Sequence, residues 1–580
     1  MTSPPLPVVL TLALTGALAS VVIGACSATG NPNAFSTATS GAGAGASAAG
    51  PGASGVGGAG GEDIGLGGGS QGGSASSGGG VDPVTCEQAS VNKTYIGCDF
   101  WPTVTDNIVF LTFDFAVAVA NTGDAPADVT VERNGVTVGS VQVPPNGLGT
   151  VYLPWVPELR SAASPLGACF PMSALTTTVA VPGGAYHLVS SRPVTVYQFN
   201  ALEYKGEGGP PGKDWSQCPG SMCGGLYPGC FSFTNDASLL LPSTAMTGNY
   251  RITGQTGWVR PPDPSDPNSK EVAVAGPYFV VTGTANGTSV TVNLSPTAKI
   301  MGGGGVPSTK GGGSVTFSVN AGDVVEVIGS ADSDFSGSLV KATKPVQIIN
   351  GISCTQSPIG VTACDHMEES VFPAETLGKR YFVSVPTSPK GNVVGHVVRL
   401  YGNADGTTLM YPSGEPANAP KMLDAGEVAD LGIVNKDFEV VGDHEFAVSS
   451  FQLGAEIVDA ATPSSKRKGD PAQSLATAVE QYRKKYVFLA PADYDVSFVD
   501  VVQPMSATLT LDGNTVGIKP TALGSGFGVA RVLLGAGNGG AHLLTATAPV
   551  GIQVMGYGAY TSYQYPGGLN LDAIAPPPPK

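Results

Sequence analysis

Three widely separated stretches of this chain open alike: "SLLLPSTAMTGNYRITG" (238–254), "SVFPAETLGKRYFVSVP" (370–386) and "SLATAVEQYRKKYVFLAP" (474–491). Each runs from a Ser through small or apolar residues to a Tyr that opens a β-like run. The Pro242-to-Tyr250 and Pro373-to-Tyr381 spacings are both eight. A shorter version, "SVNKTYIGC" (90–98), precedes them. Trailing patterns recur as well: "AYHLVSSRPVTVYQF" (185–199), "SLVKATKPVQIING" (338–351) and "AHLLTATAPVGIQVMGY" (541–557), with "HEFAVSSFQLG" (444–454) as a degenerate copy. These read as a strand, a Pro-Val turn and a second strand. Self-similarity of this kind requires a chain built from repeated supersecondary units. Tyr95, Tyr250, Tyr381 and Tyr486 each open one of four units, and a hairpin pattern closes it.

The content of the units is β. In the last one, period-2 runs give "YVFLAP", "SFVDVVQP", "ATLTLDG", "NTVGIKP", "FGVARVLL", "AHLLTATAP" and "VGIQVMGYG". Asp512-Gly513 supplies a hairpin turn between two of them. Seven short strands suit a β-sandwich, with a propeller-like arrangement as the alternative. The predicted fold is therefore all-β, in tandem β-sandwich units. Their boundaries are 84–233, 234–363, 364–462 and 463–575, followed by a Pro-rich tail at 576–580. One helix is expected from Pro471 to about Arg483, with Asp470 as its N-cap.

What precedes the units is an export apparatus. Leu6 to Ala25 is almost uninterruptedly apolar, and the small residues of "IGAC" (23–26) stand before a lone Cys. That string resembles the lipobox of bacterial lipoproteins, which implies a signal peptide at 1–25 and lipidation of Cys26. A plain secretory signal or an uncleaved anchor are the alternatives. Residues 26–83 are Gly/Ser/Ala-rich with almost nothing to form a core, so they read as a disordered tether. Its end-to-end distance is roughly 40 Å. The expected location is the outer membrane or cell surface through a lipid anchor, or else the extracellular medium.

The remaining eight cysteines, Cys86, Cys98, Cys169, Cys218, Cys223, Cys230, Cys354 and Cys364, fit an exported protein. The close pairs Cys86/Cys98 and Cys354/Cys364 suggest local bridges, and the others form a group whose pairing stays open. A net charge of −16, with 12% charged residues, excludes a nucleic-acid partner.

"CDHMEES" (364–370) is the densest cluster of reactive side chains: Cys364, Asp365, His366, Glu368 and Glu369. In an extended segment His366 and Glu368 share a face and Glu369 points away. The equivalent places in other units hold "TNDAS" (234–238) and "DPAQS" (470–474), so no metal or acid/base set recurs. Asp365 and Asp470 read as turn or cap formers at unit joints. "DSDFSG" (332–337) starts like a calcium loop, but position 12 is Thr343 where a Glu is required. No G-x-S-x-G elbow is present, and His187, His396, His444 and His542 are isolated. Neither a cofactor, a metal nor a catalytic residue is assigned. The best binding surface is the Cys-rich insertion at 203–233, with Trp215 and Tyr227 as aromatic contacts.

Several longer strings resemble one family, the N-terminal domain of IgG-Fc-binding proteins found among myxobacterial-type surface proteins. They are "YIGCDFWPTVTDN" (95–107), "FDFAVAVANTGDAPADVTV" (113–131), "CDHMEESVFPAETLGKRY" (364–381), "GDPAQSLATAVEQYRKKYVFLAPADYDVSF" (469–498) and "SYQYPGGLNL" (562–571). The resemblance implies an exposed lipoprotein or secreted protein. Animal relatives carry domains that self-cleave at Gly-Asp-Pro-His; the nearest string here, "GDHE" (442–445), lacks the Pro and is not given that chemistry. The chain thus reads as a non-enzymatic surface lipoprotein for adhesion, binding an extracellular protein or glycan. A structural envelope protein, or an extracellular hydrolase with an unrecognised acidic site, are the alternatives.

Overall fold

A computed structural model describes residues 82–578 except 162–168, 170, 224–228, 264, 267 and 535–539. The export signal, Cys26, the tether up to residue 81 and Tyr227 lie outside the described residues.

Each of the four units is a pair of antiparallel sheets. In the second unit one sheet orders Val324–Ile328, Pro277–Gly283, Val346–Thr355 and Asp365–Ser370, and takes Val179–Val181 from the first unit as an extra edge. Facing it are Ser314–Val319, Thr288–Asn293, Leu339–Ala342 and Asn249–Arg251. Because side chains alternate along a strand, Phe279, Val281, Val325, Val327 and Ile348 meet Val290, Val292 and Val340 inside the sandwich. The alternate set, Tyr278, Val280, Val324, Ile328 and Ile349, packs on the opposite face with residues of the other units. A sheet buried on both faces explains why "PYFVVTG" and "VQIINGIS" are nearly continuous apolar runs.

The same plan repeats in the third unit around Tyr381, Val398, Leu400, Leu409, Val440 and Val448. In every unit the last strand of the inner sheet is short and fully buried: β1 (Ala237–Leu240), β2 (Asp365–Ser370), β3 (Gln473–Leu475) and β4 (Thr561–Pro566). β1 lies against β2, β2 against β3, β3 against β4, and β4 against β1. Four sandwich units are thereby set around one axis like the blades of a propeller. The two architectures weighed from the sequence describe two levels of the same fold. By hydrogen bonding β1, β2 and β3 each join the sheet of the unit before them, although in sequence they head the following segment.

Two local expectations change. Residues 471–483 form no α-helix: β3 and a 3-10 turn at Val479–Gln481 occupy them before a strand starts at Arg483. The axial position decides this, since Gln473 to Leu475 complete the third unit's sheet against Ser449, Ser450 and Phe451. The closing "hairpins" of the first and last units are not hairpins either. His187–Phe199 and Gly540–Gly558 are single strands that pass from one sheet to the other, with Pro193 and Pro549 inside them. Proline lacks an N–H, so it suits the corner where the ladder changes partner.

The repeated Tyr has one job in three units. The Tyr250 hydroxyl accepts from Thr247 N at 3.1 Å and donates to Val346 O at 2.6 Å. Tyr381 accepts from Gly378 N at 3.0 Å and donates to Phe446 O at 2.6 Å. Tyr486 accepts from Arg483 N and donates to Val550 O. The leading and trailing repeat patterns are therefore tied together by a phenol, much as a tyrosine corner ties strands in other sandwiches. Tyr95 keeps the position but its hydroxyl has no hydrogen-bond partner among the described residues, and Arg483 lies 5.2 Å from its ring. Disulfides join Cys86–Cys98, Cys354–Cys364, Cys169–Cys223 and Cys218–Cys230.

Replacing Tyr381 by Phe strands a buried amide and carbonyl, and is expected to cost about 1–3 kcal/mol in a denaturant titration. Tyr95→Phe removes no bond and should leave the midpoint within about 0.5 kcal/mol of wild type.

Candidate functional site

The cluster singled out in the sequence is β2 itself. Asp365, His366, Glu368 and Glu369 are each at most 1% exposed. As the extended geometry requires, His366 Nε2 and Glu368 Oε2 lie on one face, 3.4 Å apart. Glu368 is fully engaged: Oε1 accepts from Gln198 Nε2 and Ser238 Oγ, both at 3.1 Å, and Oε2 accepts from Thr105 Oγ1 at 2.7 Å. On the other face Glu369 Oε1 takes the backbone amides of Ser370 and Leu239.

Much of this network serves residues 101–107, a buried segment without regular secondary structure. Backbone groups there have no ladder, so side chains must pair them. Gln198 exchanges bonds with Thr103 N and O, Gln347 Nε2 donates to Trp101 O, and Glu326 Oε1 accepts from Asp106 N. The buried amides and acids of the first two units are thus partners for one threaded segment.

At the axis stands Asp236, fully buried at the head of β1. Its Oδ1 accepts from Ala237 N at 2.9 Å and Gln564 N at 3.2 Å. Its Oδ2 accepts from Glu368 N at 3.2 Å and Gln473 N at 3.0 Å. One carboxylate therefore collects an amide from its own unit and one from each of the other three. Asp365 adds a second tie, accepting from Asn235 N at 2.6 Å, Thr561 Oγ1 at 2.9 Å and Ser562 N at 3.2 Å. Asp365 and Asp470, read from the sequence as turn or cap formers at unit joints, are both fully buried. Burial pushes the Asp365 pKa well up, and the neighbouring Asp470 charge pushes it further. Burial likewise raises Asp236, against the four amides that favour its charged form.

Asp236 stands in no metal-ligand or acid/base spacing, so those patterns do not mark it out in the sequence. The signal was an Asp near the head of "TNDAS", "CDHMEES" and "GDPAQS", an acid recurring where a buried strand begins.

Other candidates resolve into structure. Asp334 of the calcium-like string binds Arg399 Nη2 at 2.7 Å, joining the second and third units. His396 is fully buried against Ser450 Oγ, and burial drives its pKa down to about 3. His542 pairs with Asp512 at 2.8 Å. Among the described residues no group of three His, Cys, Asp or Glu side chains could hold a metal ion. Trp215 is partly buried, 5.4 Å from Phe113 and 5.0 Å from Lys213 Nζ, with its indole N–H on Gly208 O. It lies in the insertion stapled by Cys218–Cys230 and tied to Cys169 through Cys223.

The family model described as "IgGFc binding protein" matches residues 236–556, beginning at the axial Asp and covering more than half of the chain. The chain belongs to the IgGFc-binding protein family. A human IgGFc-binding protein is 28% identical over 302 residues, which is 50% of this chain and 5% of that protein. The chain matches only that small share of its relative's length. Two solved anti-sigma factor domain-containing proteins each align with 55% of this chain. One, from Clostridium clariflavum, is 13% identical with 81% of its length covered and a TM-score of 0.11. The other is 9% identical with 96% covered and a TM-score of 0.10. Likeness at that level carries no argument about this fold. Membership in the IgGFc-binding family points to a binding module, and the axial network places the dense acidic cluster of this member out of reach of solvent.

The buried acids give the fold a pH signature. Burial raises Asp106 to about 6, Glu203 to about 7 and Asp500 to about 6. Between their unfolded values and these, the folded chain holds more protons than the unfolded one, so stability falls as pH rises through roughly 4.5 to 7. Asp493, likewise raised to about 6 by burial, adds to this, and His396 opposes it. Thermal unfolding is expected at a higher temperature at pH 5 than at pH 8; the reverse order would contradict these assignments.

Proposed function

We propose that this protein is a non-enzymatic, lipid-tethered surface module that binds an extracellular partner, protein or glycan, through loops on a rigid four-unit scaffold. The observation that carries the reading is the fate of the reactive side chains. Asp236, Asp365, His366, Glu368 and Glu369 are consumed in a solvent-free axis, which leaves recognition to the surface. The name of the human relative ascribes to that protein binding of the Fc part of immunoglobulin G, which makes Fc one partner to try here.

Cys26 carries the lipid in this reading, and residues 26–83 hold the scaffold off the outer membrane or cell surface. The insertion at 203–233, with Trp215 and Tyr227, is the contact surface. Its two disulfides limit the entropy lost on binding, and Trp is enriched among residues that dominate binding energy.

Two measurements test this. Metabolic labelling with a radioactive fatty acid should mark the full chain, and Cys26→Ala should abolish the label and release the protein from membranes. Fc, mucin and extracellular-matrix proteins, immobilised separately, should include at least one that retains the full chain. Trp215→Ala should weaken that capture by about tenfold or more in a chain that still unfolds in one cooperative step. Capture by none of them, or capture indifferent to Trp215, would contradict the assignment.

A further inference from the structure

At the seam of the first two units lies a surface pocket to which the insertion contributes no residue. Its floor is a stacked pair: the Trp101 and His187 rings have centroids 4.3 Å apart and planes 15° from parallel. A relay of polar contacts locks that stack. Trp101 Nε1 donates to Ser243 Oγ at 3.0 Å, Ser243 Oγ donates to Asp99 Oδ1, and Asp99 Oδ2 holds His187 Nε2 at 2.6 Å. The His187 and Asp99 side chains remain 35% and 38% exposed.

Backbone turns make the walls. Asn134-Gly135, Gly183 and Ala321-Gly322 line the pocket, and the three glycines hold φ of +73°, +60° and +81°. A Cβ at Gly183 would run into the Asn134 side chain, so this wall needs glycine. Glu132 joins Asn134 among the lining residues, adding a carboxylate to an exposed amide.

We infer that this seam pocket is a binding subsite for a neutral saccharide. Trp101 is only 8% exposed, so the half-exposed His187 ring that it holds flat accepts the apolar C–H face of a sugar ring, and a carboxylate and an amide accept or donate to its hydroxyls. The surrounding charge selects against anionic sugars. Asp99, Glu132 and Asp323 are the acids near the pocket, and Asp323 accepts from Gly183 N at 3.0 Å. Of the nearby cationic groups, His187 is paired with Asp99, and Arg133 is turned onto Gly183 O and lies 5.9 Å from the Tyr186 ring. Sulfated or carboxylated rings would meet repulsion there.

The test is saturation-transfer NMR on the full chain with methyl glycosides of glucose, galactose, mannose and N-acetylglucosamine, and a heparin fragment as the anionic control. At least one neutral glycoside should receive saturation from the protein. Glu132→Ala and Asn134→Gly should each weaken it by about tenfold, the loss of one good hydrogen bond, without shifting the unfolding temperature. Trp215→Ala should leave it intact, which separates this subsite from partner capture by the insertion. Transfer to none of the glycosides, transfer undiminished in both variants, or tighter binding of the heparin fragment would overturn the inference.

Discussion

One carboxylate, that of Asp236, meets all four units of this protein. Sandwich units arranged around an axis leave four short strands packed edge to edge, each with backbone amides that no ladder completes. An apolar axis would strand those amides at a cost of about 1–3 kcal/mol each. A buried acid gathers the same donors onto one group, and the four bonds counter part of its desolvation. Asp365 repeats the device one strand further, reaching the first and fourth units.

Closure of the ring depends on the two ends of the folded region. The Tyr197 hydroxyl of the first unit is 3.1 Å from Val487 O and 2.9 Å from Gly567 O of the last, and Tyr95 N donates to Leu569 O at 3.3 Å. The string "SYQYPGGLNL" is thus a clasp. The proposed binding role draws on this closure. A scaffold whose reactive groups are spent internally can vary its surface loops and seams without disturbing its axis, which suits a family named for binding.

Much of the architecture is legible in the sequence. Repetition of the Tyr and Pro-Val patterns announces four units, and period-2 runs announce sandwiches. The structure shows why both patterns persist: the phenols of Tyr250, Tyr381 and Tyr486 bond to the very carbonyls at which the trailing strands begin. The axis was not legible. "CDHMEES" reads locally as a joint, because nothing in six residues says that Asn235, Gln198 and Thr561 converge on it from elsewhere in the chain. The segment 471–483 misleads for the same reason, since its Pro and acid look like a helix start until burial against the third unit is known. Trp101 and His187, far apart in sequence, meet because Phe100 pairs with Leu188 in an antiparallel register, which sets the residue after Phe100 opposite the residue before Leu188.

The most direct test of the account is amide hydrogen exchange in wild type and in Asp236→Asn. Asparagine keeps the shape and one acceptor but turns an N–H toward two amide donors. The account predicts that Ala237, Glu368, Gln473 and Gln564, spread across four units, lose protection together in the variant. Loss confined to Ala237, with the other three amides as protected as in wild type, would contradict the claim that one carboxylate holds the four units at their axis.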